Sequence, residues 1–154
     1  MGLVKNLLKS KGNDVHLIDL NATVFSALEE LAKYDIGALV VTDKKGKIAG
    51  IFSERDYARK VILKGKSSKE MKVKEMMTTT VYHVKPDNYL RECLELMTKK
   101  RTRHLPVFEN DKLVGIVSIG DIVNQIISEQ KTKIHDLERY IVGSDYGSEI
   151  KLPS

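Results

Sequence analysis

A single cysteine, Cys93, stands among 154 residues. No internal disulfide can form, and a reducing compartment, the cytoplasm, is the expected location. Long apolar runs are missing as well, and nothing approaches the ~20 residues that a membrane-spanning helix needs. The opening stretch "MGLVKNLLKSKG" is too short and too polar for a secretory signal, so none is expected. Asn6 stands where myristoylation at Gly2 would need Ser or Thr. P-loop, G-x-S-x-G and H-E-x-x-H motifs are absent, and "GKSS" at 65–68 lacks the upstream glycine of a phosphate loop. The four histidines (16, 83, 104 and 135) show no paired ligand spacing, which argues against a metal site. Cys93 lies between Leu90 and Leu94 with no catalytic motif around it and reads as a small buried hydrophobe.

What is present begins with charge. The net charge is +5, and six lysines (60, 64, 66, 69, 72 and 74) cluster around Ser67 and Ser68. No aromatic residues interleave with them, so they read as a solvated helix end and linker rather than a nucleic-acid surface. A basic chain remains compatible with small anionic ligands.

The chain also repeats itself. "GIFSERDY" (50–57) and "GIVSIGDI" (115–122) share Gly, Ile, a large apolar residue, Ser and, three residues later, Asp. An offset of 66 aligns Leu28 with Leu94, Glu29 with Glu95, Lys33 with Lys99, Leu39 with Leu105 and Val41 with Val107. After the next turn the offset becomes 65, a length change of the kind that loops tolerate. Each copy opens with a short extended piece, Val15–Ile18 or Val81–Val84, followed by turn-formers at Asn21 or Pro86-Asp87. Val24, Leu28 and Leu31, and then Leu90, Leu94 and Met97, recur at helical spacing. Two strands follow as a hairpin, turned at Gly46 in one copy and at Asn110-Asp111 in the other. A helix closes each copy. The order is β-α-β-β-α, twice, in an α/β (α+β) fold. One copy of about 55 residues buries too little surface to be comfortable alone. Two copies packed about a pseudo-two-fold axis would share a core and set equivalent loops across a cleft.

The Ser and Asp of each phrase lie where a strand passes into a helix. There they could point to one spot at the helix N-terminus, whose free N–H groups favour anions. A carboxylate suits the paired hydroxyls of a ribose. The competing reading is local: Ser caps the helix and Asp favours its first turn. The two roles are compatible.

The phrase within its β-α-β-β-α frame resembles the CBS (cystathionine-β-synthase) domain family, and the tandem resembles a stand-alone pair, or Bateman module. The likeness runs from about Asp14 to Gln130. It implies a regulatory protein without catalytic activity that binds an adenosyl ligand (AMP, ADP, ATP or NAD) between the copies and changes shape to control a partner. It also implies a homodimer and no catalytic cofactor; the histidine spacing and the lack of apolar runs add the expectation of no metal and no membrane partner. The alternative is an oligomerising regulatory module whose clefts are vestigial. Carried over position by position, one nucleotide site would gather Ser118, Gly120 and Asp121 with Arg103, His104, Val15, His16, Ile36 and Gly37. A second would gather Ser53, Arg55 and Asp56 with Val81, Tyr82 and Thr102. Gly37 and Ala38 stand where the second copy has Arg103 and His104, so the Asp121 site is expected to hold phosphate better.

The chain divides into 1–13 as a leading segment, 14–66 as the first copy, 67–80 as a linker with a short helix, 81–130 as the second copy and 131–154 as a tail. Met76 and Met77 are expected to pack at the entry to the second copy. Ile122, Val123, Ile126, Ile127, Ile134, Leu137 and Ile141 mark one apolar face of a long closing helix. That face would pack on its own module or on a second subunit, and the end, "GSDYGSEIKLPS", is expected to be flexible.

Overall fold

Val4, Leu7 and Leu8 fall at helical spacing and form the buried face of helix α1 (Val4–Lys11). The structure, a computed structural model, describes residues 2–138, 149 and 151–153. Ile141 and most of the end segment, 143–148, 150 and 154, lie outside the described residues. The leading segment is not separate: α1 joins the core of the second copy beside Leu90, Cys93, Leu105, Val117 and Ile122. Backbone bonds fasten it there, from Val4 N–H to Asn88 O (2.9 Å) and from Leu90 N–H to Gly2 O (3.0 Å).

The first copy comprises β1 (Leu17–Asp19), α2 (Val24–Tyr34), β2 (Ala38–Thr42), β3 (Ile48–Ser53) and α3. Strand β2 pairs parallel with β1 and antiparallel with β3. Gly46 takes the left-handed turn position at φ 81°. Helix α3 begins as one α turn (Glu54–Asp56) and continues as a π-helix (Tyr57–Ile62), where regular α spacing was expected.

Helix α4 (Val73–Met76) lies in the linker, but Val73 and Met76 complete the first copy's core with Val24, Leu39 and Phe52. Each copy is therefore closed by the helix that precedes the other in sequence. The short bridges Leu3↔Tyr89 and Thr23↔Lys72 fix the two arrangements equivalently. "VKNLL" (4–8) and "VKEMM" (73–77) are thus a further repeat, one that the sequence reading passes over.

The second copy contains α5 (Leu90–Lys100), β4 (His104–Glu109), β5 (Lys112–Ser118) and α6 (Ile119–Glu138). Asn110 (φ 51°) and Asp111 (φ 62°) make its hairpin turn. Its first strand contracts to one parallel bridge, Val84↔Val107. Proline supplies the reason. In the first copy Val40 N–H donates to the His16 carbonyl (3.1 Å), and Pro106, at the equivalent position, has no N–H to donate.

The glycine that opens each repeated phrase is set by what crosses it. A Cβ at Gly50 would stand 2.5 Å from the Thr78 carbonyl oxygen, and one at Gly115 would stand 2.8 Å from Leu8 Cδ2. On α6, Ile122 is buried and Ile126 packs on the second core. Ile119, Val123 and Ile127 are 40%, 41% and 57% exposed. The single apolar face read from the sequence is therefore two faces among these residues.

Candidate functional site: two clefts between the copies

The recurring Ser and Asp have a local cause in both copies. Ser53 N–H donates to Asp56 Oδ2 (2.9 Å), and Asp56 N–H donates back to Ser53 Oγ (3.3 Å). Ser118 and Asp121 exchange the same bonds at 2.9 and 3.1 Å. Each pair is a reciprocal helix cap, so one bond to the carboxylate and one from the Asp backbone N–H fix each motif aspartate at the strand-to-helix junction.

Beyond the cap the two aspartates differ. Asp56 is buried at 7% exposure, and its Oδ1 accepts from Thr78 Oγ1 (2.8 Å) and from Lys60 Nζ (2.9 Å). Lys60, read from the sequence as part of a solvated cluster, is thus the partner of a buried carboxylate. Asp121 is reached from α1: Lys11 Nζ donates to its Oδ2 (2.7 Å) and to the Ile116 carbonyl (2.8 Å). Burial on its own would raise the Asp121 pKa. The Lys11 and Ser118 hydrogen bonds and the Lys11 charge outweigh it, holding the carboxyl below its ordinary value.

A cleft of about 460 Å³ surrounds Asp56, and one of about 390 Å³ surrounds Asp121. Both volumes suit a small ligand. The Asp56 cleft gathers all six residues expected there: Ser53, Arg55, Asp56, Val81, Tyr82 and Thr102. The Asp121 cleft gathers Val15, His16, Ile36, Gly37, His104, Ser118 and Asp121. Two expected members are not on its wall. Gly120 does not line it, and Arg103 lines the Asp56 cleft instead. The pseudo-two-fold axis explains this placement. The segment before each copy's hairpin crosses to the other copy's motif, so Asp35–Ala38 faces Asp121 and Arg101–His104 faces Asp56. His104 reaches both clefts because Gly37 has no side chain; a Cβ there would stand 3.2 Å from the imidazole. Arg55 Nη1 donates to the Arg101 carbonyl (3.2 Å) and ties the copies together.

The walls carry different charge. Arg55, Arg59, Lys60, Lys100, Arg101 and Arg103 line the Asp56 cleft against Glu54 and Asp56. Asp14, Asp35 and Asp121 line the Asp121 cleft with Lys11 as its one formal cation. Burial pushes the His104 pKa down, with Lys11 and Arg103 adding to the effect against Asp121. Its imidazole therefore adds no cationic charge near neutral pH. Arg103, expected beside Asp121, thus stands with the cations of the Asp56 cleft, while His104 borders both clefts.

The model of the CBS domain matches residues 4–62 and 73–128. The chain belongs to the CBS domain family. Both matches begin at the repeated "VK", the start of α1 and of α4. The chain is 36% identical over 149 residues to the mitochondrial CBS domain-containing protein CBSX3 of Arabidopsis thaliana, covering 91% of this chain and 72% of that one. A solved CBS-domain protein from Burkholderia ambifaria superposes with a TM-score of 0.81 at 44% identity, covering 84% of this chain and 96% of its own. The CBS domain pair of protein MJ0100, solved with 5'-methylthioadenosine and S-adenosyl-L-methionine, gives a TM-score of 0.72 at 25% identity, with 84% and 98% covered.

In this CBS pair the sequence reading missed Lys11, Lys60 and Thr78 at the motif carboxylates. The "VKNLL"–"VKEMM" repeat was the available signal for Lys11, since it places α1 in the equivalent of the linker helix. Among the described residues, no group of His, Cys, Asp and Glu could hold a metal ion. Cys93 is buried, and burial together with nearby Glu92 pushes its thiol up to about 11, so it is no ready nucleophile.

Proposed function

We propose that this CBS pair is a non-enzymatic sensor that binds adenosyl ligands (AMP, ADP, ATP or NAD) in the clefts between its copies and regulates a partner protein through a change of shape. The observation that carries the reading is the pair of clefts, each built around a motif aspartate and walled by both copies. An occupant would touch both halves, so binding would bias their relative placement. The MJ0100 pair, with its two adenosyl compounds, supports the ligand class. Among the described residues the motif carboxylates are engaged by helix-capping serines and by lysines, which favours binding over catalysis.

The exposed Ile119, Val123 and Ile127, spaced four apart on α6, support a homodimer, for which an isologous two-fold interface is the commonest closed arrangement. The single buried cysteine supports a reducing compartment such as the cytoplasm; the mitochondrial location belongs to the Arabidopsis relative. One observation favours the second reading, an oligomerising module with vestigial clefts: both oxygens of Asp56 are already bonded within the protein.

A thermal-shift screen over adenosine, AMP, ADP, ATP, NAD, S-adenosylmethionine and GTP separates the two. A ligand at 100 times its dissociation constant should add about 2.7 kcal/mol of stability. Flat melting curves across the adenosyl series at millimolar concentration would favour the vestigial reading.

A further inference from the structure

We propose that the two clefts sort adenosyl ligands by charge: the Asp56 cleft takes a phosphate-bearing nucleotide, and the Asp121 cleft takes an adenosyl compound without phosphate, whether a nucleoside, a thioether or a sulfonium. This rests on the adenosyl reading above and adds to it a different ligand class for each cleft.

The argument lies in equivalent positions of the repeat. The 66-residue offset pairs Asp35 with Arg101 and Gly37 with Arg103. Asp35 and Arg101 even share their backbone state, left-handed at φ 52° and 53°, at the ends of α2 and α5. The same backbone position thus offers a carboxylate to one cleft and a guanidinium to the other. Side chains alone set the difference.

In the Asp56 cleft, Lys60 is paired with Asp56, while Arg59, Arg101 and Arg103 make no ion pair among the described residues. Guanidinium groups match phosphate oxygens two at a time. In the Asp121 cleft, the Lys11 ammonium is held by Asp121 and by the Ile116 carbonyl. A phosphate there would meet a cation already engaged, and it would meet Asp14 and Asp35 as like charges. A neutral ribosyl thioether meets no such opposition, and a sulfonium is attracted. Fixed like charge excludes wrong ligands as surely as good contacts admit right ones.

Calorimetric titration of the full chain at pH 7.5 tests this with AMP, 5'-methylthioadenosine and S-adenosylmethionine as probes. AMP should fill one site per chain, and methylthioadenosine should still bind the AMP-saturated protein at a second. Arg103→Glu, at an exposed position, should weaken AMP by about tenfold or more, the loss of one charge-assisted contact. Methylthioadenosine on the same variant should change by less than about twofold, since no phosphate contact is lost. Asp14→Lys, also at an exposed position, should admit AMP to the Asp121 cleft and move its stoichiometry from one towards two. Two equivalent AMP sites on the wild type, or unchanged AMP affinity in Arg103→Glu, would overturn the sorting and leave the adenosyl reading intact. No heat from the three probes would overturn the sorting, and no heat from ADP, ATP and NAD as well would overturn the adenosyl reading with it.

Discussion

Replacing Lys11 by Ala should destabilise the protein although Lys11 lies in a helix that the repeat boundaries leave outside both copies. Its ammonium donates to Asp121 Oδ2 at 2.7 Å and to the Ile116 carbonyl at 2.8 Å. The two charged side chains are 27% and 29% exposed, between a surface pair, at ~0.2–1 kcal/mol, and a charge-assisted buried bond, at ~1.5–3 kcal/mol. The expected loss is about 1–2 kcal/mol, or a melting point lower by roughly 2–8 °C for a chain of this size. Asp121 keeps its two capping bonds with Ser118 in the variant, so α6 should still form. The pH dependence has a definite sign. The folded-state pKa of Asp121 lies below its ordinary value of 3.8, so its stabilisation is complete above that value and fades as pH falls through the lower folded value. Chemical denaturation of the wild type, Lys11→Ala, Asp121→Asn and the double variant gives the coupling directly. A coupling of about 1 kcal/mol or more at pH 7 is expected, shrinking below pH ~4. Additive effects at pH 7, within about 0.3 kcal/mol, would refute the pairing as a source of stability.

Gly50→Ala should cost about 1–3 kcal/mol, because its methyl group meets the Thr78 backbone carbonyl. Gly115→Ala should cost visibly less, since Leu8 Cδ2 can turn aside; equal melting points for the two variants would contradict this. Folding keeps the His104 pKa below 6.5, so the unfolded chain binds the extra proton and stability should drop as pH falls from about 6.5. His104→Gln should flatten that arm of a pH series of denaturant melts. Adenosine should raise the melting point more than guanosine does, given the small, apolar Ile36-Gly37-Ala38 segment on the Asp121 cleft, and equal shifts would count against adenine preference. Light scattering at tens of micromolar should report a dimer that Val123→Glu with Ile127→Glu converts to monomer; an unaltered dimer would place the interface elsewhere.

Period and turn chemistry are properties of neighbours in the chain, and they made much of this protein legible. The helices through Leu28 and Leu94, the turns at Gly46 and Asn110-Asp111, and the Ser–Asp junctions all follow from residues within one copy. Even the shortened strand at Val84 has its cause in plain sight, a proline where the other copy has Val40. What sequence reading could not supply was which copy each loop would face. Arg103 precedes β4 and is close in sequence to Asp121, yet the pseudo-two-fold packing carries it to Asp56. Lys11 and Asp121 are 110 residues apart, and no local pattern links them. They meet because α1 buries Val4, Leu7 and Leu8 against the second core, as α4 buries Val73 and Met76 against the first. Sequence alone determined the elements and their duplication. The tertiary structure decided the charge of each cleft, because an electrostatic field sums over whatever packing brings within a few ångströms, regardless of chain order.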